Sequence, residues 1–535
     1  MGFSEYFETV QPCLTAWSSM AKALRPLEAI LETAERGQGL EAEDAASLFA
    51  WGSSASRVAE IHSAAVRVRE RCAPKDVEFI IPVYLTSFCQ NECLYCGYRE
   101  SNPLAERVRL SLEEFEAELD LILSWGYRQI ELVLSDDMEF GPEKVAAYVG
   151  LTRRKLEARG GGVVALCSPA YEQEAYARLA AAGLDWMVEW QETYDEAHFN
   201  RWHFIGSPKR QFEFRLNIWD RAVAAGIRKV ALGALLGLYH LRFDALCVIE
   251  HGNFLRRTYG MEPHALGIPR LKPARGVLAS QKSSRFTVSD DDFRLIVSVY
   301  HLAFPRSRLF FNTRESYELN QSLVAAGDLF TVDCETLPGG YLRRRQPGQF
   351  FTHDYPPRRE ARAALEQRGY ACRYLAEETL PPESLALALS TNEVDPKKWD
   401  AEHAEIRIQL DNWQLMQSRL AKQRGNGSTV CQDSIAALRP ILQYFKTSVI
   451  SHCHREEADL FPKLARETQN GAQLEALRRD HERLGVDLDK FERQLISYGL
   501  SGDPSALVTL GDRIIRELRE HLDSEDALWA SRSVR

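Results

Sequence analysis

From Val77 onward the chain repeats one pattern eight times: a short β-rich run, then a longer amphipathic stretch. The runs are Phe79–Leu85, Gln129–Leu134, Val163–Cys167, Trp186–Trp190, Lys229–Leu232, Ala265–Pro269, Leu309–Asn312 and Leu329–Val332. Strand and helix in alternation mean parallel pairing, because a parallel strand needs a return connection of helix length. Eight such units close a (β/α)8 barrel of TIM type, with an open doubly wound sheet as the alternative. Before the barrel, Pro26–Arg36 and Arg57–Arg71 have helical apolar spacing, with Gly37 and Gly39 breaking between them, so 1–76 is an N-terminal helical extension. The barrel spans 77–378, and the Pro-, Ser- and Asn-bearing stretch 379–400 has no period and is expected to be a linker. From Ala401 to Arg535 only amphipathic helical segments follow, joined by Gly-, Asn- and Ser-rich breaks, the outline of an all-α four-helix bundle.

Composition narrows the function classes. At 535 residues the chain is too long for one ordinary core, and 45 % apolar with 27 % charged residues describes a soluble globular protein. A formal charge of −10 and the lack of a dense basic patch argue against nucleic acid as a partner. Met1 to Thr9 carries acid and no long apolar run, so neither a secretory signal nor a membrane span is expected. Eleven cysteines without such a signal point to a reducing, cytoplasmic setting.

Of these cysteines only Cys89, Cys93 and Cys96 are grouped, in Phe88-Cys-Gln-Asn-Glu-Cys-Leu-Tyr-Cys-Gly-Tyr98, directly after the first strand. Three thiolates spaced in this way can wrap one loop around three irons of a [4Fe–4S] cubane. Zinc would want a fourth ligand in a second knuckle, and none is nearby. The fourth iron is left open to chelate the amino and carboxylate groups of S-adenosylmethionine (SAM), whose reductive cleavage gives a 5′-deoxyadenosyl radical. The loop's position also suits catalysis, since barrel enzymes work at the C-terminal ends of their strands. The competing reading is three unrelated buried thiols.

The cysteine loop with Tyr95 resembles the radical SAM signature. Gln191-Glu-Thr-Tyr194, Asp220 to Gly226, Leu232-Gly-Ala-Leu-Leu-Gly-Leu238, Ile268-Pro-Arg-Leu-Lys-Pro273 and Asn312-Thr-Arg-Glu315 extend the resemblance over roughly residues 40 to 378. They are similar to one subfamily: 2-iminoacetate synthase, the tyrosine lyase of [FeFe]-hydrogenase maturation and a tryptophan lyase. The resemblance implies a carbon–carbon lyase that cleaves the side chain of an aromatic amino acid such as tyrosine or tryptophan, reduced by a flavodoxin or ferredoxin. It implies that Cys89, Cys93 and Cys96 bind the cluster and that Tyr95 lies against adenine. Gln191, Glu192 and Tyr194 then line the SAM side of the pocket, and Arg215 meets the SAM carboxylate. Arg314 holds the substrate carboxylate, Tyr84 and Asn91 touch the substrate, and Thr331 lies near that carboxylate. Three departures stand out. The family's Gly-Glu after the second strand is Leu134-Ser-Asp-Asp137 here, so Asp136 is left to receive the SAM amino group. The family's Ser-Ala-Gly-Ser-Arg-Thr is Thr331 to Thr336, which bears on which amino acid is bound. The barrel ends near Tyr374 without the C-terminal cysteine motif of the hydrogenase-maturation enzyme, and Cys372 alone does not replace it, so CO and cyanide are not expected products.

In the last quarter, His452 and Glu456 stand four apart on one helical face, His521 and Glu525 repeat the spacing, and His481 lies between them on its own helix. Imidazoles and carboxylates converging from several helices make a di-iron site in a bundle. The pattern resembles the hemerythrin-like (HHE cation-binding) domain, and dioxygen is the ligand this implies. That family expects another histidine on the first helix. Asn412 lies near the place and His403 somewhat earlier; either the site has one weaker ligand or His403 fills the role. Cys453, about 100° round the helix from His452, is expected to point away. The readings are a lyase with an oxygen-binding, -sensing or -protecting module; a non-lyase radical SAM enzyme whose di-iron domain performs a second oxidation; and an iron or oxygen sensor.

Overall fold

The computed structural model describes residues 2–530 except 275, 278–285, 344–347, 354, 380–395, 422–437, 440, 443, 462, 463, 465–470 and 502. The chain forms two compact units, Met1–Ser390 and Thr391–Arg535. Most of the stretch expected as a linker lies outside the described residues, and a helix begins at Pro396 within it.

Four helices precede the sheet: α1 (Phe3–Ser18), α2 (Leu27–Glu35), α3 (Ala42–Trp51) and α4 (Ala55–Cys72). Ten strands follow: β1 (Asp76–Phe79), β2 (Ile81–Thr86), β3 (Gln129–Leu134), β4 (Val163–Cys167), β5 (Trp186–Val188), β6 (Val230–Gly233), β7 (Ala265–Gly267), β8 (Arg308–Phe311), β9 (Asp328–Phe330) and β10 (Ala371–Arg373). All nine strand pairings are parallel, in the order β10-β1-β9-β8-β7-β6-β5-β4-β3-β2. β1 and β2 are one run of chain broken only at Ile80, yet β1 pairs with β9 and β2 with β3. Paired this way at both ends, the sheet has to curl, and the fold is a TIM-like parallel barrel clad in helices such as α5 (Leu112–Ser124), α6 (Pro142–Glu157), α7 (Gln173–Ala181), α8 (Leu241–Tyr259) and α9 (Asp290–Ala303). α5 and α9 each begin with a capping box, Ser111/Glu114 and Ser289/Asp292, which satisfies the free N–H groups of the first turn.

β10, which the sequence pattern does not signal, adds beside β1 with a register of Asp76 to Ala371. The N-terminal helices are fastened to the sheet by a buried charge cluster. Arg69 on α4 meets Asp328 on β9 at 3.0 Å, and His301 on α9 meets the same carboxylate at 3.1 Å. Backbone N–H groups of Leu309 and Ala325 donate to the same two oxygens, so the buried acid is fully satisfied.

The second unit holds α10 (Pro396–Ala421), α11 (Ile450–Arg455) flanked by π-helical turns Phe445–Val449 and Glu456–Leu460, α12 (Gly471–Ser501) and α13 (Ser505–Ala530). Trp413, Phe445 and Phe491 anchor a core of its own. No helix among the described residues is long and apolar enough to cross a membrane.

Candidate functional site

A cavity of about 190 Å³ opens at the C-terminal ends of the strands. Cys89, Cys93 and Cys96 line it, and so do Tyr84, Asn91, Tyr95, Asp136, Glu192, Arg215, Arg314 and Thr331. Backbone bonds hold the loop after β2 within itself and against the segment after β3: Cys96 N–H donates to Cys93 O at 3.0 Å, and Gln90 N–H to Asp136 O at 3.0 Å. Burial pushes the Cys89 thiol up to about 11, and it raises Cys93 and Cys96 as well. Thiols in that state do not ionise unaided; metal coordination ionises them. N–H donors already face the sulfurs: Tyr98 N at 3.4 Å and Gln349 Nε2 at 3.8 Å from Cys96, and Asn91 Nδ2 at 3.7 Å from Cys89. The donor set fits an iron–sulfur cluster with three protein ligands.

Asn91 braces the loop. Its Nδ2 donates to Asp136 at 3.0 Å while its Oδ1 accepts from the Lys209 N–H at 2.9 Å. Asp136 also accepts from Gln90 at 3.0 Å, so both carboxylate oxygens are engaged. The Tyr95 hydroxyl meets His203 Nε2 at 2.9 Å. Glu192 is buried and adopts φ 71°, a left-handed conformation that is uncommon for a side-chain-bearing residue. Lys209 Nζ lies 2.5 Å from its carboxylate. Burial alone would raise that acid, but Lys209 and Arg215 outweigh it and hold the group below the usual carboxylate range. Arg215 bonds Glu189 at 2.9 Å and the carbonyl of Trp190 at 2.6 Å.

The left-handed turn also moves two expected residues. Because the chain reverses at Glu192, its neighbours face elsewhere. Gln191 is fully buried outside the cavity lining, and Tyr194 packs under α1, its hydroxyl 3.0 Å from His251 Nδ1 and its ring 6.4 Å from Phe3. Neither reaches the cavity, which corrects the placement expected from the motif.

Arg314 follows β8. Its guanidinium carbon lies 3.4 Å from the centroid of the Phe350 ring, and its Nη1 bonds the carbonyl of Arg270 at 3.4 Å. It has no acidic partner within ion-pair distance among the described residues. Thr331 follows β9, 1 % exposed, with a hydroxyl that finds no partner there either. The Tyr84 hydroxyl donates to Gln349 at 2.9 Å. Lys209, Glu189, Glu131 and Gln349 also line the cavity and were missed from sequence. For Glu131 a signal existed: an acid stands mid-strand in a run of aliphatic residues. Lys209 and Gln349 lie in loops with no motif.

The second unit carries a metal-type cluster. His403, His452, Glu456 and Glu525 place one ligand atom each within 4.8 Å of one another, and so do Glu456, His481, His521 and Glu525. The two carboxylates belong to both sets. Glu456 Oε1 faces His452 at 3.0 Å and His403 at 3.3 Å, while its Oε2 faces His481 at 3.4 Å. Glu525 Oε1 faces His521 at 3.1 Å and its Oε2 faces His403 at 3.5 Å. Each acid thus turns one oxygen to either side, the arrangement that bridges two metals. His481 and His521 bring their Nε2 atoms to 2.9 Å, a distance that suits two nitrogens sharing a cation. Three of the imidazoles have an outer carboxylate bonded to Nδ1: Asp526 for His403 at 2.5 Å, Glu402 for His452 at 2.6 Å and Glu457 for His481 at 2.7 Å, while Asp480 stands 3.6 Å from Nδ1 of His521, beyond hydrogen-bond distance. Such partners fix the tautomer that presents Nε2 to a metal. The first-helix ligand position is held by His403; Asn412 is exposed and bonds Gln409 at 3.4 Å. Cys453 does not point to solvent: it is 2 % exposed and packs in the apolar core of the unit. A turn of about 100° from an inward-facing residue leads to the neighbouring helix of a bundle, not to solvent.

A parallel barrel whose first loop carries three cysteines into its mouth is the radical SAM architecture, and residues 83–242 match the Radical SAM superfamily. Residues 395–532 match the Hemerythrin HHE cation binding domain. The chain is 31 % identical over 299 residues to 2-iminoacetate synthase of Escherichia coli strain K12, covering 55 % of this chain and 76 % of that protein. With 2-iminoacetate synthase of Salmonella typhimurium it shares 29 % over 330 residues, 61 % of this chain and 78 % of the relative. Among solved structures, the FeFe-hydrogenase maturase HydG from Carboxydothermus hydrogenoformans superposes with a TM-score of 0.61 at 23 % identity, over 82 % of this chain and 95 % of that one. Methylornithine synthase (PylB) gives 0.52 at 18 %, over 64 % and 97 %. These two likenesses are of fold. The chain belongs to the radical SAM superfamily, in the family of 2-iminoacetate synthase, and carries a C-terminal hemerythrin HHE domain.

Proposed function

We propose that this protein is a radical SAM lyase that cleaves the side chain of an aromatic amino acid, with residues 77–378 carrying the reaction and 401–535 a di-iron module that binds, senses or removes dioxygen. The observation that carries the first half is Arg314: a guanidinium lining the cavity of the three cysteines, stacked on Phe350 and without an acidic partner among the described residues. A planar fork of donors suits a bidentate carboxylate, and Thr331 offers a second, unpartnered donor in the same cavity. When bound, the [4Fe–4S] cluster and SAM supply a 5′-deoxyadenosyl radical able to abstract hydrogen. Cys89, Cys93 and Cys96 would hold the cluster. Tyr95, Asp136, Glu192, Lys209 and Arg215 would hold SAM, with the Lys209–Glu192 pair keeping that wall charged. Tyr84 would meet the substrate and Asn91 would keep the loop in shape. Electrons would come from a flavodoxin or ferredoxin.

Support for the di-iron module comes from the two shared carboxylates with oxygens on either side. His403 and His452 would complete one iron and His481 and His521 the other; nitrogen and carboxylate ligands suit iron or manganese. An oxygen-binding module in the same chain fits a cluster that dioxygen destroys. The test is anaerobic reconstitution with SAM, dithionite and a panel of amino acids, read by mass spectrometry. Production of 5′-deoxyadenosine with a fragment of tyrosine or tryptophan supports the reading, and cleavage of SAM with every amino acid left intact rejects it.

A further inference from the structure

The cavity contains a buried acid that neither the cluster nor SAM accounts for. Glu131 stands in the middle of β3, 5 % exposed, and lines the cavity together with Val133, Cys167, Trp190 and Phe310. Its neighbour Glu189 is buried as well but is satisfied, accepting from the Ser168 N–H at 3.0 Å and from Arg215 at 2.9 Å. Glu131 has no hydrogen bond and no ion pair among the described residues. Its carboxyl faces the cavity, so a ligand that seals it from solvent has to supply the partner, since a buried polar group without one costs about 1–3 kcal/mol.

The surroundings define that contact. Burial, then the nearby Glu189 carboxylate, push Glu131 up to about 8, so at neutral pH it carries its proton. A protonated carboxyl both donates and accepts. Two of the cavity's walls are ring surfaces, Trp190 and Phe310. Trp190 lies so close to β6 and β7 that a Cβ at Gly233 would come within 2.6 Å of it, and one at Gly267 within 2.1 Å. Phe310 lies 6.4 Å from the Trp190 ring. These are walls for a flat apolar group; Glu189 beside them is committed to Ser168 and Arg215, and Glu131 is the acid left without such a partner.

We propose that Glu131 recognises the far end of the substrate's side chain, bonding a neutral N–H or O–H carried on an aromatic ring, as in an indole or a phenol. This assignment rests on the aromatic amino acid reading given above. It makes Glu131 a specificity-determining residue: a site built to bond a substrate donor rejects the analogue lacking it, because its own polar group is then left unpaired.

The test uses the full-length reconstituted protein and paired substrates, tyrosine against phenylalanine and tryptophan against 1-methyltryptophan, with kcat/KM measured for each. The wild type is expected to favour the donor-bearing member by on the order of 100-fold or more. E131L should bring the two members of a pair to within about tenfold of each other, whereas E131Q, whose amide also donates and accepts, should keep most of the preference. Because both members are measured on the same variant, a general loss of fold scales both rates and leaves the ratio alone. An unchanged ratio in E131L overturns the proposal. So does turnover of a basic amino acid that collapses in E131Q, since the carboxylate would then serve a cation. If the wild type cleaves SAM but turns over no aromatic amino acid, the underlying reading fails and this inference falls with it; if it turns over aromatic amino acids without preferring the donor, only this inference fails.

Discussion

Arg314 stands over the face of Phe350, its guanidinium carbon 3.4 Å from the ring centroid. Stacking occupies the face of the guanidinium and, apart from the long Nη1 bond to the Arg270 carbonyl, leaves its N–H edge to grip a carboxylate. Lysine would keep the charge and lose both the stack and the fork. Arg314→Lys is therefore expected to lower kcat/KM for the amino acid by about one order of magnitude or more, while uncoupled SAM cleavage persists. Equal loss of both activities would assign Arg314 to SAM or to the fold.

Cys93 is the most enclosed of the three cysteines, and removing its sulfur leaves two ligands, too few for a cubane. Cys93→Ala should lose the charge-transfer absorbance of the reconstituted cluster together with 5′-deoxyadenosine formation. Persistence of SAM cleavage in this variant would contradict the cluster assignment.

The second unit has its own apolar core, so a protein spanning 391–535 should fold as a helical bundle. Grown with iron, it should carry about two metals per chain, one for each ligand set with both carboxylates shared. His452→Ala combined with His521→Ala should remove most of the metal and leave helicity by circular dichroism intact. His403→Ala, which removes a ligand, should weaken metal retention by at least the roughly tenfold that loss of an outer partner costs, whereas Asn412→Ala, outside the cluster, should not change it. Folded but metal-free protein after growth and purification in iron would make the bundle a docking module instead.

Several histidines of the first unit are held neutral. Burial lowers His62 to about 4, and it lowers His203 and His264 to about 3. In the unfolded chain these groups take up a proton near pH 6.5, so between roughly pH 6.5 and 4 the unfolded state binds more protons than the folded one. Stability therefore falls as pH drops through that window, by about 1 kcal/mol per pH unit below 6 for each of His203 and His264, with less from the half-buried His62. The urea midpoint followed by tryptophan fluorescence should drop clearly between pH 7.5 and pH 5. A flat midpoint would show that these imidazoles are protonated or solvated in the folded state.

How much was legible in sequence can be seen element by element. All eight strands expected from the alternation exist, because a buried parallel strand must be a compact apolar run between helices. β10 escaped because Ala371-Cys-Arg373 is short and largely exposed, with no apolar signature. α1 escaped because Pro12 sits inside it. The cysteine loop was readable because a metal demands local spacing, whereas Lys209 and Gln349 are brought to the cavity by loop geometry that no spacing encodes. Tyr194 was misplaced because a motif fixes which residues are adjacent, not the backbone angle at Glu192 that turns one of them inward and its neighbours out. His403 could not be chosen over Asn412 by counting residues, since helix offset in a bundle is set by packing.

The break at Ile80 has a consequence for how the protein is made. β1 finds its partners in β9 and β10, about 250 and 300 residues later in the chain, so its backbone donors and acceptors stay open until those strands emerge. At about 5–20 residues per second, synthesis leaves that edge uncovered for roughly 15 to 60 s. During this interval β1 has no partner and β2 to β8 form an open parallel sheet, whose uncovered edge is the kind of surface that pairs with other chains. Helix α4, synthesised just before β1, has Arg69 waiting for Asp328 on β9. The seam and the ion cluster can therefore form only together, and nascent chains cut short before residue 328 should depend on chaperones while those completed past 373 should not.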